Sequence, residues 1–407
     1  MAVVVQKYGG SSVADVERIR RVAQKIVTTR RAGDDVVVVV SAMGKTTDEL
    51  LALAHAVDAN PPRRELDMLL STGERISMAL LSMAIQSQGC SAISFTGSQS
   101  GIITNDRHFD AKIIEVRPHR VEDELSRGRI VIIAGYQGMS YKREITTLGR
   151  GGSDTTALAM AAALGAERAE IYSDVDGVYS ADPRIVPGAR HLGALRYEEM
   201  QEMAAAGAKV LHGKAVEHAR RAGIHIHARA SFGGERETVV SATGEGARYR
   251  ASVGQKGVLR IELEGEADRL IEALAAIPSP LSVNLGSGRA VVLVARGHLP
   301  DWGQIEERLG KLLGSGLRVQ AGLGTAALIG EAAAEPGAAS IAMQALRGAG
   351  LEPQRVFVTP LQIRALLPEP EVDRAVQLLH RRFLEDGPED GLEGRLEPGL
   401  ASIGAPR

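Results

Sequence analysis

The sequence has almost no cysteine. Cys90 is the single cysteine in 407 residues, which excludes an internal disulfide framework and a metal site built from several thiolates. A chain without disulfides suits a reducing compartment.

An excess of charge of one sign and long apolar runs are also absent. The formal net charge is -2 at pH 7, so no electrostatic footprint for nucleic acid or an anionic membrane is visible, and a small-molecule partner is favoured. The longest apolar runs, such as residues 36–40, are far shorter than the roughly 20 residues that cross a bilayer. Residues 1–10 lack the basic region and cleavable apolar stretch of a signal peptide. We therefore expect a cytoplasmic protein.

Length and hydrophobic pattern indicate an α/β protein with more than one domain. A chain of 407 residues exceeds the size at which a single core usually stops growing. Short β-branched runs, suited to a sheet covered on both faces, alternate with amphipathic helical stretches. The runs are 3–5, 36–40, 92–95, 130–134, 169–172 and 224–227, and the helical stretches between them include 13–30, 46–57, 73–88 and 155–164. This alternation predicts a sandwich of helices around a mainly parallel sheet.

The last part of the chain has a different pattern. Residues 233–250 are rich in Gly, Glu, Arg and Thr without a clear period, and they predict a linker after a first domain over 1–232. Two strand–helix–strand–strand–helix units follow at 251–320 and 321–388, an arrangement that suggests a ligand-sensing or pairing module. Residues 389–407 are rich in Gly, Pro and Glu and predict a disordered tail.

Lys7 and two glycines follow the first predicted strand. The segment Lys7-Tyr8-Gly9-Gly10 precedes a helix that begins near Asp15. Glycines let backbone amides approach a phosphate closely, and the lysine adds a positive charge near the helix N-terminus. On this segment alone, a plain glycine turn with a surface lysine is an equally good interpretation.

A second glycine loop spans residues 146–156 and leads into an apolar helix. Arg150 can form a bidentate pair with a carboxylate, and Asp154 can bind an ammonium or cap the helix. The loop could therefore bind both ends of an amino acid. A purely conformational role for its glycines is the weaker interpretation, because it leaves Arg150 without a purpose.

Three carboxylates crowd behind another predicted strand, within residues 172–184. Asp174, Asp176 and Asp182 lie there with Arg184. The spacing lacks the glutamate that closes a calcium-binding EF-hand, so a nucleotide pocket is the favoured interpretation. Asp176 precedes a glycine and Asp182 a proline, so turn formation stays an alternative role for both.

Two further segments carry weaker signals. Gly44-Lys45-Thr46 resembles the end of a P-loop, but Val39 stands where that motif requires a glycine, so the P-loop interpretation fails. Glu74 opens a predicted helix, where the helix dipole favours a carboxylate anyway. Taken alone, Glu74 is best explained as a helix-start residue.

Together these segments resemble one family. Their order and spacing over about the first 232 residues are similar to those of an aspartate kinase of the amino-acid kinase superfamily. The segments that carry the resemblance are 6–12, 71–77, 135–138, 146–156, 171–184 and 207–212. The resemblance implies a three-layer amino-acid kinase sandwich with a mainly parallel central sheet, followed by two ferredoxin-like regulatory domains of the ACT type with βαββαβ order.

The resemblance also implies roles for individual residues. It implies catalytic roles for Lys7, Asp174 and Lys209. The nucleotide pocket would be lined by Lys7, Tyr8, Gly9, Gly10, Ser173, Asp174, Tyr179, Arg184, Lys209 and Val210. L-Aspartate would be surrounded by Ser41, Thr47, Glu74, Arg150, Gly151, Gly152, Ser153 and Asp154.

The implied reaction transfers the γ-phosphate of ATP, carried in with Mg²⁺, to the side-chain carboxylate of L-aspartate. The product is 4-phospho-L-aspartate, and the step is the first in lysine, threonine and methionine biosynthesis. No general base is needed, because the attacking carboxylate is already ionised at neutral pH. Catalysis then depends on positioning and charge neutralisation, and no metal ligands from the protein are expected.

The C-terminal part departs from the family pattern. Residues 265–270 have no Pro-Gly after the acidic residue at the first ACT helix, whereas Pro336 and Gly337 keep that turn in the second unit. Pro360 stands in a family strand position, where proline removes a hydrogen-bond donor. We therefore expect weak or altered feedback inhibition by lysine or threonine, with the ACT-like region still pairing the subunits of a homo-oligomer.

Two alternatives to an aspartate kinase stay open at this stage. One is a kinase of another small amino-acid carboxylate in a specialised pathway, and the other is a non-catalytic amino-acid-sensing partner subunit. The second is disfavoured, because a silent domain has no need to keep Lys7, Arg150, Asp154 and Asp174 together. A panel of carboxylate substrates distinguishes all three possibilities.

Overall fold

The computed structural model describes residues 2–234, 236–244, 246–278, 280–299 and 301–386. Strands and helices alternate up to about residue 241, and a second group of elements begins at Ala251. The tail predicted at 389–407 lies outside the described residues.

The first group of elements forms a layered α/β body. Its strands are β1 (Val3–Tyr8), β2 (Asp35–Val40), β3 (Ala92–Phe95), β4 (Ile102–Thr104), β5 (Ile113–Val116), β6 (Ile130–Ala134), β7 (Gln137–Ser140), β8 (Ile145–Thr147), β9 (Arg168–Ser173), β10 (Val178–Tyr179), β11 (His191–Leu192), β12 (Ala194–Arg196), β13 (His225–Ala230) and β14 (Glu237–Ser241). Its helices are α1 (Val16–Arg31), α2 (Thr46–Val57), α3 (Arg63–Gln86), α4 (His119–Ser126), α5 (Gly152–Leu164), α6 (Tyr197–Ala206) and α7 (Gly213–Ala222).

The central sheet of this body has eight strands in the order β12-β14-β13-β9-β1-β2-β6-β3. β1 pairs in parallel with β2 and β9, and β6 pairs in parallel with β2 and β3. β14 runs antiparallel to β13 near one end of the sheet. The prediction of a mainly parallel central sheet is confirmed.

Helices cover both faces of the sheet because its central strands are apolar on both faces. Val37 and Val39 of β2 belong to the core under α5, whereas Val36 and Val38 belong to the core under α1 and α3. Alternate side chains of a strand point to opposite faces. A strand buried on both sides therefore has a continuous apolar sequence, and this is the pattern that predicted the sandwich.

A smaller sheet in the order β5-β4-β7-β8 leads into the loop before α5. Asp67 of α3 is fully buried and holds this sheet in place. Its carboxylate accepts hydrogen bonds from Thr147 Oγ1 at 2.5 Å and from the backbone N–H of Phe109 at 3.1 Å. The loop that follows β8 therefore starts from a fixed position.

The second group of elements forms one antiparallel sheet with helices packed on it. The elements are β15 (Ala251–Glu264), α8 (Ala267–Ala276), β16 (Ser282–Gly286), β17 (Arg289–Ala295), α9 (Trp302–Leu313), β18 (Leu317–Ile329), α10 (Ala338–Gly348), β19 (Arg355–Thr359), β20 (Gln362–Pro368) and α11 (Val372–His380). A π-helical turn, Arg381–Glu385, continues α11. The six strands are ordered β16-β17-β15-β18-β20-β19, and the sheet is compatible with the predicted ACT-type fold.

Two long strands are shared between the predicted ACT-like units at 251–320 and 321–388. β15 pairs with β18 from Ala251, opposite Ile329, to Leu263, opposite Leu317. β17 pairs with the last half of β15, and β20 pairs with the last half of β18. Local strand and helix patterns do not reveal such long-range pairing, so the sequence division into two separate units differs from the shared sheet.

Part of the segment 233–250, predicted to be a linker, is a strand. β14 extends the central sheet by pairing with β12 and β13, and its residues Thr238 and Val240 are fully buried. The break between the two groups of elements therefore falls after Ser241. Glu237 and Val239 of this strand are half-buried, and the polar residues around the strand hide its pattern in the sequence.

α3 is long and apolar enough to span a membrane by length and composition alone. Its apolar window is 50% buried inside the structure, and Leu81 and Ile85 from this helix belong to the core under the central sheet. A core helix of a folded domain satisfies the same composition test.

Candidate active site

Four parallel strands of the central sheet end at one level. Tyr8 is in register with Val40 and with Tyr172, and Val40 is in register with Ala134. Loops at the carboxyl ends of neighbouring parallel strands meet at one edge of a sheet, where ligands bind in α/β folds. The first loop residues after these strands are Gly9, Ser41, Gly135 and Asp174.

Gly9 and Gly10 hold the first loop tightly between neighbouring segments. The N–H of Gly9 donates to Tyr172 O at 3.2 Å, and the N–H of Gly44 donates to Gly10 O at 3.1 Å. A Cβ on Gly10 would lie 2.8 Å from Ala42 O, closer than side-chain carbons approach in proteins. Only glycine lets the loop after β1 pass this close to the loop after β2.

Lys7 and Asp154 form an ion pair at this edge. Lys7 Nζ lies 2.6 Å from Asp154 Oδ1, and both side chains are only 12% exposed. Lys7 comes from the end of β1, and Asp154 from the first turn of α5. Water screens a pair this deeply placed only in part, so the site carries a positive and a negative group in direct contact.

The start of α5 packs against the same edge. Gly151, the N-cap, has a φ of 70°, in the left-handed region that glycine tolerates best. A Cβ on Gly135 would lie 2.7 Å from Ser153 Oγ, and a Cβ on Gly152 would lie 2.8 Å from Tyr136 Cδ2. The first N–H groups of a helix lack intrahelical partners, and together with the helix dipole they favour an anion.

Glu74 of α3 is a buried carboxylate with one satisfied oxygen. Its residue is 3% exposed, and Oε1 accepts a hydrogen bond from the N–H of Ala42 at 3.1 Å. Oε2 has no hydrogen-bond partner among the residues that the structure describes. Burial raises the pKa of Glu74 to about 7. A cationic ligand group such as an ammonium would donate the hydrogen bond that Glu74 Oε2 lacks.

Arg150 points toward the C-terminal group of elements. Its Nε donates a hydrogen bond to Gly297 O at 2.8 Å, in a turn that follows β17. Burial raises the pKa of Tyr136 to about 12, with a further increase from Glu74 and a decrease from Arg150. Arg150 and Glu74 therefore act electrostatically on the same tyrosine, although the guanidinium is held by the C-terminal part.

Ser41 and Thr47 lie in the segment that joins β2 to α2. The N–H of Ser41 donates to Tyr8 O at 3.1 Å, which fixes Ser41 beside the first loop. Thr47 is half-buried in the first turn of α2. Among the described residues of α2 none is fully buried, so this helix forms the outer wall of the edge.

A second charged group surrounds Arg184. Arg184 Nη2 lies 2.6 Å from Asp182 Oδ2, and this hydrogen bond holds the pKa of Asp182 below its usual value, with Lys209 lowering it further. Asp182 raises the pKa of Arg184, and the charge of Asp174 contributes as well. The predicted nucleotide residues Arg184, Asp174 and Lys209 therefore act electrostatically within one charged group, which Asp182 completes. Half-buried Val210 packs on the core under α5.

Other predicted nucleotide residues are placed differently. The Tyr8 ring is fully buried and stacked on Tyr172, with centroids 4.7 Å apart, so its backbone rather than its ring reaches the edge. Tyr179 Oη donates to Asp176 Oδ1 at 2.9 Å, and Ser173 Oγ hydrogen-bonds within its own turn. The nucleotide contacts predicted for Tyr8, Tyr179 and Ser173 stay predictions.

Two residues join the site that the sequence prediction omitted. His212 is the N-cap of α7, and its ring lies directly against Gly151. Burial lowers the pKa of His212, while the charge of Asp154 opposes that shift. Tyr136 adopts a φ of 67°, which is uncommon outside glycine, and its ring lies against Gly152.

Known proteins similar to this chain define its family. Residues 2–229 match the model of the amino acid kinase family. The chain is 46% identical to an aspartokinase of Mycolicibacterium smegmatis, over 94% of this chain and 96% of that protein. It is 43% identical to an aspartokinase of Corynebacterium glutamicum, over 96% of this chain and 98% of that protein.

Solved structures give the same result. E. coli aspartokinase III in complex with aspartate and ADP, in its R-state, superposes with a TM-score of 0.82 at 25% identity, covering 94% of this chain and 100% of that chain. The T-state of the same enzyme, in complex with lysine and aspartate, shares the fold with a TM-score of 0.70 at 24% identity, with coverage of 94% and 100%.

The layered fold, the glycine loops at the strand ends and the family match together define a kinase of small molecules, and the chain belongs to the amino acid kinase family. Within that family it belongs with the aspartokinases, which it matches along nearly their whole length. The aspartate kinase family predicted from the motifs is confirmed.

Proposed function

We propose that the chain transfers the γ-phosphate of ATP to the side-chain carboxylate of L-aspartate. The observation that carries this proposal is Glu74, a buried carboxylate with an unpaired oxygen among the described residues. It contacts the loop after β2, at the strand edge that also carries the Lys7–Asp154 ion pair. This arrangement supplies anionic groups for an amino-acid ammonium next to a cation for a phosphate. The aspartokinase relatives support aspartate as the amino acid.

Aspartate is proposed to lie between α3 and the start of α5. Its ammonium contacts Glu74 and Asp154, and a carboxylate contacts Arg150, whose planar fork matches carboxylate geometry. Further contacts to the carboxylates come from the hydroxyl groups and N–H groups around the edge. These groups belong to Ser41, Thr47, Gly151, Gly152 and Ser153.

Lys7, Gly9, Gly10 and Lys209 are proposed to hold the transferring phosphoryl group. An oxygen of the aspartate side chain attacks the γ-phosphorus, and the bond from that phosphorus to the β–γ bridging oxygen breaks, so ADP leaves with the electron pair. No proton moves, because the carboxylate is already ionised at neutral pH. Lys7 and Lys209 stabilise the charge that spreads over the equatorial oxygens.

The nucleotide is proposed to lie against the loop after β9. The side chains that contact it belong to Ser173, Asp174, Tyr179, Arg184 and Val210. Tyr8 contacts it through the backbone, because the ring of Tyr8 is buried. Mg²⁺ is proposed to enter bound to ATP, because this ion is commonly held by substrate phosphates. Within the described ranges no cluster of three or more His, Cys, Asp or Glu side chains suits a metal ion.

The first group of elements is proposed to be the kinase domain and the shared six-stranded sheet to be the regulatory domain. Pairing of regulatory sheets from two copies would give a homo-oligomer, as expected from the sequence. The missing Pro-Gly turn in residues 265–270 supports a weak or altered response to lysine and threonine. We also propose a cytoplasmic location, with α3 as a core helix.

A substrate panel tests this proposal. ATP consumption is measured with L-aspartate, D-aspartate, L-asparagine and L-glutamate, and the acyl phosphate is trapped as a hydroxamate with hydroxylamine. L-Aspartate should give the highest kcat/KM, with L-glutamate poorer by roughly tenfold or more, since one methylene changes specificity by that order. A higher kcat/KM for any other acid overturns the substrate.

Two arms complete the experiment. Lysine and threonine are added singly and together to the aspartate reaction, where strong inhibition overturns the proposed weak feedback. Lys7→Met serves as the inactive control, because it removes the cation without adding volume. Product formation by Lys7→Met at the wild-type rate would show that the activity arises elsewhere.

A further inference from the structure

The segment that carries Asp182 and Arg184 is docked on the C-terminal helix α11. Ala181 and Val186 of this segment belong to the apolar core under α10 and α11. Gln377 of α11 donates from Nε2 to the backbone oxygen at position 185 at 2.7 Å. Elements distant in sequence therefore fix the position of a segment that faces the proposed nucleotide.

At the start of this segment, Ser180 is joined to α11 through His380. The distance from Ser180 Oγ to His380 Nε2 is 2.9 Å, and His380 Nδ1 lies 2.8 Å from Glu385 Oε1. Ser180 is 1% exposed and His380 is fully buried. The three side chains have the order and spacing of a serine–histidine–carboxylate triad.

The hydrogen-bond directions in this triad follow from its neighbours. Glu385 offers a carboxylate, which accepts, so Nδ1 of His380 donates to it and Nε2 is left to accept. The hydroxyl of Ser180 then donates to Nε2, while its oxygen accepts from the N–H of Arg190 at 2.8 Å. Each polar atom of the buried part then has a partner.

Burial decides what this triad does. A hydrolytic serine must be open to a substrate, and Ser180 is closed off on every side by the packing of the loop on α11. Its backbone is also fixed, since the N–H of Ser252 donates to Ser180 O at 2.8 Å. The triad therefore holds two parts of the chain together rather than attacking a bond.

We propose that His380 is a positioning residue for nucleotide binding. By holding Ser180, it sets the place of Asp182 and Arg184, which lie two and four residues further along the same segment. The inference rests on the proposed function, in which Arg184 contacts ATP. It makes α11 of the regulatory part a structural component of the nucleotide site, with no role for His380 in binding aspartate.

Substitutions at the triad separate this role from general folding. Ser180→Ala removes only the hydroxyl. In His380→Gln the terminal amide reaches the place of Nε2 and can still pair with Ser180, whereas in His380→Asn the amide lies near the place of Nδ1 and can pair only with Glu385. Ser252→Ala is the matched control, because Ser252 Oγ donates to the backbone of the same helix, at Val376 O, at 3.1 Å. The hydrogen bond from Ser252 to Ser180 O is made by the backbone N–H, which alanine keeps.

The experiment uses the full chain and measures KM for ATP, KM for aspartate, kcat, and the dissociation constant of ADP by calorimetric titration. Ser180→Ala and His380→Asn should raise KM for ATP and the ADP dissociation constant on the order of tenfold, the scale of one lost buried hydrogen bond. KM for aspartate should stay within about twofold. Ser252→Ala should behave like the wild type, and ADP binding by His380→Gln should fall between that of the wild type and that of His380→Asn.

Other outcomes overturn the inference. Unchanged ADP binding in Ser180→Ala and His380→Asn overturns the inference. So does a loss of ADP affinity in Ser252→Ala as large as in those variants, or an equal rise in KM for ATP and KM for aspartate. Glu385→Gln, a change at a half-exposed position, should shift ADP binding in the same direction by a smaller factor, and it keeps the test decisive if a buried variant fails to fold. A wild type that binds ADP but does not phosphorylate aspartate refutes the proposed function alone.

Discussion

The ammonium of Lys7 and the carboxylate of Asp154 lie 2.6 Å apart, so in the ligand-free protein each neutralises the other. Lys7 is proposed to bind a phosphate and Asp154 an ammonium. Binding of the two substrates therefore exchanges this internal ion pair for two external ones. The pair keeps both charges satisfied in a partly buried site until the ligands arrive.

Asp154→Asn separates the two roles of this pair. The substitution removes the charge that faces the aspartate ammonium, and KM for aspartate should rise roughly 10- to 100-fold, as expected for a lost charge-assisted hydrogen bond. ADP should bind at least as tightly as in the wild type, because Lys7 is released from its partner. Weaker ADP binding with an unchanged KM for aspartate would contradict these assignments.

The raised pKa of Glu74 predicts a pH-dependent KM for aspartate. Burial places this pKa at about 7, so Glu74 is protonated in the free enzyme below that pH, and an incoming ammonium must displace the proton. KM for aspartate should therefore increase as the pH falls below about 7, approaching tenfold per pH unit. A pH profile of kcat/KM measures this, and Glu74→Gln should flatten it.

The same group affects folding stability with a definite sign. Its pKa in the folded protein lies above the ordinary value of 4.5, so its contribution to stability is fully present below about pH 4.5 and is lost as the pH rises through about 7. The shift from 4.5 to about 7 corresponds to a cost of about 3 kcal/mol at pH 8. Glu74→Gln should be more stable than the wild type at pH 8 by up to that amount.

Urea denaturation at two pH values tests this prediction. The difference between Glu74→Gln and the wild type should be large at pH 8 and should nearly vanish at pH 4, where the wild-type carboxyl is protonated. A Gln variant that is less stable than the wild type at pH 8 would show that Glu74 is satisfied by a partner in the ligand-free protein.

Arg150→Lys tests whether the planar guanidinium is required. A lysine keeps the charge but loses the fork that matches a carboxylate, and KM for aspartate should rise roughly tenfold with little change in ADP binding. Arg117→Lys is the matched control, because Arg117 forms an exposed ion pair with Glu115 away from the strand edge. Equal kinetics for both variants would remove Arg150 from the aspartate contacts.

Gly135→Ala tests the packing of α5 on the strand edge. The new Cβ would lie 2.7 Å from Ser153 Oγ and 2.9 Å from Val40 O, so the helix start must shift. Activity should fall roughly 100-fold, because small misplacements of binding groups are costly. Gly193→Ala, where no atom lies within 4 Å of the added Cβ, should keep wild-type kinetics, and full activity in Gly135→Ala would disprove the close packing.

Much of the fold was predictable because its strongest signals are local. The apolar runs of β2 and β6 and most helices between the strands follow from hydrophobic periodicity. The start predicted for α3 at 73 was wrong, because this helix begins at Arg63, so Glu74 lies inside the helix and is not a helix-start residue. The sharing of β15 and β18 was not predictable, because strand pairing over this distance leaves no periodic signal. β14 was hidden for a related reason, since a short strand near the edge of a sheet is bordered by turn residues.

In the candidate site, too, residues in local motifs were predictable and contacts between distant parts of the chain were not. Lys7, Glu74 and Asp154 were predicted from motifs, and they lie at one strand edge. His212 was omitted because a histidine at a helix start has no signature by itself, although it lies in the 207–212 segment that carries the family resemblance. The contact of Arg150 with Gly297 depends on domain packing, which no local pattern contains.

The most direct test of the whole account is a crystal structure of the protein with ADP, Mg²⁺ and L-aspartate bound. We predict that the Lys7 ammonium leaves Asp154 and contacts the β-phosphate, with the aspartate ammonium hydrogen-bonded to Glu74. Aspartate and ADP bound in separate cavities, or Lys7 still paired with Asp154 in the ternary complex, would contradict the proposed site.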